Sequence, residues 1–157
     1  MKKILGLFLF LLLAFNSFAF AQPTILHGSV EKVPETFFGT WRVVSERVDT
    51  DSPLTFKEKG VDLWNLSQDA NVIKLSNPFS GATAEIFVEK ASVNSVTFTK
   101  IGKYDSRTLT DKVKITINGD KFVGTDELKL DTLSDVDGTI RKTETATFTI
   151  KGERIAE

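Results

Sequence analysis

The chain contains no cysteine and only one histidine among its 157 residues. The absence of cysteine excludes a disulfide framework, a thiolate metal site, a cysteine nucleophile and a lipid anchor on cysteine. The single histidine, His27, excludes a metal centre with several histidine ligands. The formal net charge of −1 provides no basic field for nucleic acid. We expect no metal, no cofactor and no enzymatic activity.

The first 21 residues have the three parts of a secretory signal. Lys2 and Lys3 form a positive start, and an uncharged apolar run follows from Ile4 to Phe15. Ala19-Phe20-Ala21 is a small-x-small cleavage site. The sequence predicts a cleaved signal peptide over residues 1–21 and export to a periplasm or beyond, in a bacterium. The alternative is an uncleaved membrane anchor. Asn16 and Ser17 count against it, because these polar residues interrupt the apolar run.

The remaining chain has no convincing helical stripe, and its apolar residues alternate with polar ones over short stretches. Threonine, valine, isoleucine and phenylalanine, which favour strands, are frequent in these stretches. The pattern predicts eight strands: Gly39–Val48, Val61–Ser67, Asn71–Ser76, Gly81–Lys90, Ser92–Ile101, Lys112–Asn118, Lys121–Leu133 and Thr139–Lys151.

The predicted strands are joined mostly by tight turns, of which Asn118-Gly119-Asp120 is a strong hairpin signal. Short links make neighbouring strands antiparallel. The longer links are Asp49–Gly60 and Gly102–Asp111. An open meander would leave two exposed edges, and pairing the last strand with the first removes both. We therefore predict an all-β, eight-stranded antiparallel up-and-down barrel over residues 37–157, with residues 22–36 preceding it. A two-sheet β-sandwich is the alternative.

Phe38-Gly39-Thr40-Trp41 opens the first predicted strand, and Arg154 follows the last one. This combination resembles the calycin superfamily, which includes lipocalins, fatty-acid-binding proteins, avidins and some bacterial protease inhibitors. The resemblance implies that Gly39 and Trp41 close one end of the barrel and that Arg154 packs over the Trp41 ring. A cation–π contact is the physical reason for such packing.

The branch within the superfamily stays open. The twelve residues Asp49–Gly60 cannot hold the helix pair of fatty-acid-binding proteins. Only Trp41 and Trp64 are present, whereas avidins place several tryptophans around their ligand.

Polar residues share the inward parity of three predicted strands: Arg47 with Trp41, Asp126 with Phe122, and Glu144 with Phe148. Placing Ile150 opposite Trp41 puts Glu144 opposite Arg47, as a cross-strand ion pair. The functional interpretation is a polar patch inside a ligand cavity. The alternative is a salt bridge at the rim in water, worth about 0–1 kcal/mol.

Leu54 and Phe56 lie in the long first link and are expected to form a lid at the open end of the barrel. The leading functional hypothesis is a non-enzymatic exported barrel that binds a small hydrophobic or amphipathic ligand through Arg47, Asp126, Glu144 and this lid. The alternative is a protein-binding module, such as a calycin-type protease inhibitor, that contacts its partner through residues 22–36.

Overall fold

The computed structural model describes residues 33–155. The predicted signal peptide and residues 22–32 of the preceding segment lie outside the described residues. A short 3-10 helix, η1 (Glu35–Phe37), precedes eight strands. They are β1 (Gly39–Thr50), β2 (Lys59–Asp69), β3 (Val72–Ser76), β4 (Thr83–Ala91), β5 (Ser95–Tyr104), β6 (Arg107–Asn118), β7 (Lys121–Leu133) and β8 (Ile140–Arg154).

The strands form one closed antiparallel barrel in sequence order, with β8 pairing back onto β1. The predicted fold class is confirmed, and closure into a single ring excludes the two-sheet sandwich. Because successive strands run in opposite directions, their links alternate between two ends. The open end, as we call it, carries the loops 51–58, 77–82, 105–106 and 134–139. The closed end carries the start of β1 and the end of β8.

The interior follows from the two-residue period of each strand. In β6, Val113, Ile115 and Ile117 point inward and are buried, while the intervening lysine and threonine side chains are exposed. At the closed end the interior is filled by aromatic side chains in edge-to-face and stacked contact: Phe37, Trp41, Trp64, Phe98 and Phe122. This half of the barrel has a core of mutually packed aromatic rings.

One predicted link was wrong. Residues 102–111 were expected to form a long loop, but β5 continues to Tyr104 and β6 begins at Arg107. Asp105 adopts a left-handed backbone conformation (φ 51°), which allows a turn of only two residues. As a result, Asp111 lies inside β6 rather than at its edge.

The predicted register of β8 on β1 was also wrong. Trp41 lies opposite Arg154 rather than opposite Ile150, and Arg47 lies opposite Phe148. A bulge between Arg47 and Asp49 shifts the register further along the pair. A four-residue slide keeps the inward parity, so the same faces point into the barrel although the partners differ.

Candidate ligand pocket at the open end

A pocket of about 200 Å³ opens among the ends of β2 to β6 at the open end of the barrel. Its apolar wall consists of side chains that continue the inward rows of the core: Leu75, Ala84 and Leu109. Its polar lining includes Asp62, Asn77, Lys100 and Tyr104. The pocket therefore offers apolar surface together with charged and hydrogen-bonding groups, the combination typical of small-molecule sites.

Asp62 is fixed at the pocket wall by its hydrogen bonds. Its Oδ2 accepts from the indole Nε1 of Trp64 at 3.1 Å, and its Oδ1 accepts from the Asn77 side chain and from the Leu63 backbone N–H. Asn77 also orders the loop 77–82, because its Oδ1 accepts from the backbone N–H groups of Phe79 and Ser80. The wall of the pocket is thus held in place before any ligand binds.

A buried charge cluster adjoins this pocket through Lys100, which lines it. Lys100 Nζ is 2.5 Å from Asp111 Oδ2, across the β5–β6 pair. The Lys100 side chain is 23% exposed, whereas Asp111 and Asp126 are 3% and 9% exposed. One carboxylate oxygen of each aspartate, Oδ1, is buried without a hydrogen-bond partner. Buried polar atoms are nearly always paired, so each of these two oxygens can accept a hydrogen bond from a further donor.

Charge and burial shift the pKa values in this cluster. Burial and the neighbouring charge of Asp111 raise the pKa of Asp126 to about 7, against the opposing effect of Lys100. Burial alone would lower the pKa of Lys100, but Asp111, Asp126 and Asp62 together raise it. Lys100 therefore stays cationic, and Asp126 titrates near neutral pH.

The loop 51–58 folds over the side of the open end formed by β1 and β8. The side-chain Nη1 of Arg47 donates to the carbonyl oxygens of Pro53 and Phe56. The backbone N–H of Arg47 donates to the carbonyl oxygen of Glu58 at 2.8 Å. The hydroxyl of Thr55 donates to Glu144 Oε1 at 2.7 Å. Arg47 and Glu144 thus anchor the same loop from two strands.

The expected ion pair between Arg47 and Glu144 is not formed. Because of the register shift, Glu144 instead pairs with Lys142 at 2.8 Å. The hydrogen bonds from Lys142 and Thr55 lower the pKa of Glu144 to about 2. Of the three predicted polar residues, only Asp126 belongs to the buried cluster, while Arg47 and Glu144 hold the loop.

The two predicted lid residues have different positions. Phe56 is 8% exposed and belongs to the core cluster, whereas Leu54 is fully exposed. Phe56 therefore attaches the loop to the barrel, and Leu54 points into solvent. Neither lines the pocket of about 200 Å³, which opens beside β2 to β6.

At the closed end, the guanidinium carbon of Arg154 lies 4.2 Å from the centre of the Trp41 ring. Arg154 also donates to the carbonyl oxygens of Phe38 (2.7 Å) and Thr36 (2.5 Å) and to Asp120 Oδ1 (3.2 Å). A side chain at Gly39 (φ +117°) would meet Arg154 Nη1 at 2.4 Å. The structure thus brings Gly39, Trp41 and Arg154 together in one plug.

Sequence reasoning missed Lys100, Asp111 and Asp62. A signal was present: Lys100 continues the inward row of Val96 and Phe98, and Asp111 precedes Val113 and Ile115 in the same row. A charged residue at the inward position of an alternating strand predicts a buried charge. Asp111 was not predicted to be buried, because the sixth strand was predicted to begin one residue later, at Lys112.

Two further properties of residues 33–155 concern metal binding and the crossing of a membrane. No group of three histidine, cysteine, aspartate or glutamate side chains within this range is placed to hold a metal ion. None of the helices in the described part of the chain has the length and apolar character needed to cross a membrane.

Comparison of the chain with protein-family models, with curated proteins and with solved structures found no match.

Proposed function

We propose that this protein is a non-enzymatic, exported β-barrel that binds a small amphipathic molecule in the pocket at its open end. The observation that carries the proposal is the pocket itself: an apolar wall meets Asp62 and Lys100, with two unpartnered carboxylate oxygens buried behind them. Burial of apolar ligand surface supplies affinity, and the few polar groups fix the orientation of the ligand.

The pocket limits the size of the ligand. Its volume of about 200 Å³ corresponds to roughly seven water molecules. An apolar cavity of about 150 Å³ is known to accept benzene, so the pocket suits a molecule with a short chain or a single ring. Buried aromatic side chains occupy the closed end, so we expect the ligand to stay in the open half of the barrel.

The plug at the closed end supports placing the chain in the calycin superfamily. Gly39, Trp41 and Arg154 have the arrangement that the resemblance implies, in a barrel of eight meandering strands. Membership is part of the proposal, and small-ligand binding agrees with it.

Export is proposed on the sequence of residues 1–21. If the signal is cleaved after Ala21, mass spectrometry of the protein from the periplasm or medium of an expressing bacterium will show an N-terminus at Gln22. An intact Met1 in the membrane fraction would favour the anchor instead.

The binding proposal is tested by titrating the protein with six-carbon probes: hexylamine, hexanol and hexanoate. Saturable one-to-one binding of at least one probe, monitored by calorimetry, supports it. Ala84→Phe is expected to fill the pocket and abolish binding, whereas Val93→Phe, in an exposed loop at the closed end, should leave binding intact.

A protein-binding module is the second candidate, and exposed apolar side chains favour it. Each loop or turn of the open end has one at or beside its tip: Leu54, Phe79, Tyr104 and Val136. The partner would present an apolar protein surface to this end rather than to residues 22–36. A partner retained by the wild-type protein but lost by a Leu54→Ser, Val136→Ser variant supports this function. Loss on removal of residues 22–36 alone would place the contact there.

A further inference from the structure

We propose that the ligand of the open-end pocket carries a protonated amine, which is attracted by the carboxylates of Asp62 in the pocket wall and of Asp111 and Asp126 buried beside it. This inference rests on the proposed function and specifies its ligand class. It follows from an excess of negative charge in the pocket wall and in the buried cluster beside it, which a cationic group would neutralise.

The excess of negative charge comes from the number of acidic side chains near Lys100. Lys100 on β5 pairs with Asp111 on β6, and the charges of Asp126 on β7 and Asp62 on β2 also act on it. With all four groups ionised the net charge is −2. Asp62 is exposed, so Lys100, Asp111 and Asp126 alone have a net charge of −1. Because buried charges are costly unless they are paired, a second cation is favoured at this place and an anion is disfavoured.

The hydrogen-bonding state of the cluster agrees with a donor-rich ligand. Lys100 donates to Oδ2 of Asp111, but Oδ1 of Asp111 and Oδ1 of Asp126 are buried without partners. Both atoms are acceptors. An ammonium group provides three N–H donors and no acceptor, so it matches these atoms, whereas a carboxylate ligand has no donor to offer them.

The charged surroundings of Asp126 explain how binding depends on pH. Asp111 on β6 and Lys100 on β5 face it, and Glu127 is its neighbour on β7. On β8 its partner is Phe148, which is uncharged. Arg47 on β1 donates instead to the loop 51–58. Burial and Asp111 raise the pKa of Asp126, so a bound cation that keeps Asp126 ionised must displace a proton near neutral pH.

The test compares three probes of equal chain length at pH 8 by calorimetry: hexylamine, hexanol and hexanoate. We expect hexylamine to bind at least about tenfold more tightly than hexanoate. Its affinity should rise by up to about tenfold from pH 6 to pH 8, since Asp126 titrates at about 7 in the free protein.

Asp126→Asn removes the charge while keeping the shape of the side chain. We expect it to weaken hexylamine binding at pH 8 and to abolish the rise in affinity between pH 6 and 8. Asp49→Asn, at an exposed position on β1, is the matched control and should change neither.

The outcomes separate the two proposals. If hexanoate binds as tightly as hexylamine, or if Asp126→Asn leaves the amine affinity and its pH dependence unchanged, the amine inference is overturned while ligand binding stands. If no probe binds, the proposed function itself fails.

Discussion

Lys100 and Asp111 form an ion pair inside the barrel, with 2.5 Å between Nζ and Oδ2. The pair joins β5 to β6 four residues before the turn at the open end and leaves the second oxygen of Asp111 without a partner. Both members of the pair also affect the pKa of Asp126: Asp111 raises it and Lys100 lowers it. The same ion pair therefore connects two strands of the barrel and contributes Lys100 to the lining of the pocket.

Asp126 should make the protein less stable as the pH rises. Its pKa is about 7 in the folded state and about 4 in an unfolded chain, so the folded state binds more protons between these values. The free energy of unfolding then falls from about pH 4 to pH 7, by a few kcal/mol at most. Urea denaturation at pH 5 and pH 8 measures this change.

Asp126→Asn should be more stable than the wild-type protein at pH 8 and should lose this part of the pH dependence. The exposed control Asp49→Asn should follow the wild-type curve. Equal pH dependence in the wild-type protein and Asp126→Asn would show that Asp126 does not titrate in this range.

Arg154→Ala should destabilise the fold by about 2–4 kcal/mol, because it removes a cation–π contact and charge-assisted hydrogen bonds to two carbonyl groups. Arg141→Ala, at an exposed position on the same strand, is the control and should cost less than about 0.5 kcal/mol. Urea denaturation compares the two variants, and equal losses would contradict the role assigned to Arg154 in the plug.

Gly39→Ala should cost more stability than Gly138→Ala. Both glycines have positive φ, so either substitution introduces backbone strain of about 1–3 kcal/mol. At Gly39 the new Cβ also collides with the guanidinium of Arg154, whereas at Gly138 no atom lies within 4 Å. Thermal or urea unfolding of the two variants measures the difference, which should disappear in an Arg154→Ala background.

Arg47→Ala should release the loop 51–58. The substitution removes the hydrogen bonds to Pro53 and Phe56 that hold the loop against the barrel. Hydrogen exchange of residues 51–58 should become faster, and trypsin should cleave after Lys57 more readily. Arg42→Ala, exposed on the outer face of β1, is the control. Unchanged exchange in Arg47→Ala would show that Phe56 and the hydrogen bond from Thr55 to Glu144 hold the loop without the Arg47 side chain.

The barrel could be predicted from the sequence because its signals are local. Alternation in strands such as β6 and the Asn118-Gly119 turn are properties of neighbouring residues. Inward parity could be predicted for the same reason, and Asp126 was therefore recognised as an interior residue. The contact of Arg154 with Trp41 was expected from a resemblance rather than from spacing.

Register could not be predicted, because it depends on contacts between residues about 100 positions apart. A slide of four residues between β1 and β8 preserves parity, so the hydrophobic pattern does not distinguish the two registers. The predicted pair of Arg47 with Glu144 failed for this reason. The pairing of Lys100 with Asp111 depends on the register of β5 and β6, which the two-residue turn at Asp105 sets. The sequence did not reveal this turn.

The most direct test of the central claim is calorimetric titration of the wild-type protein and Ala84→Phe with hexylamine, hexanol and hexanoate. Binding in the open-end pocket predicts a saturable one-to-one isotherm for at least one probe with the wild-type protein, no isotherm with Ala84→Phe, and wild-type behaviour in Val93→Phe. The absence of saturable binding for all three probes, or equal binding by Ala84→Phe, would contradict it.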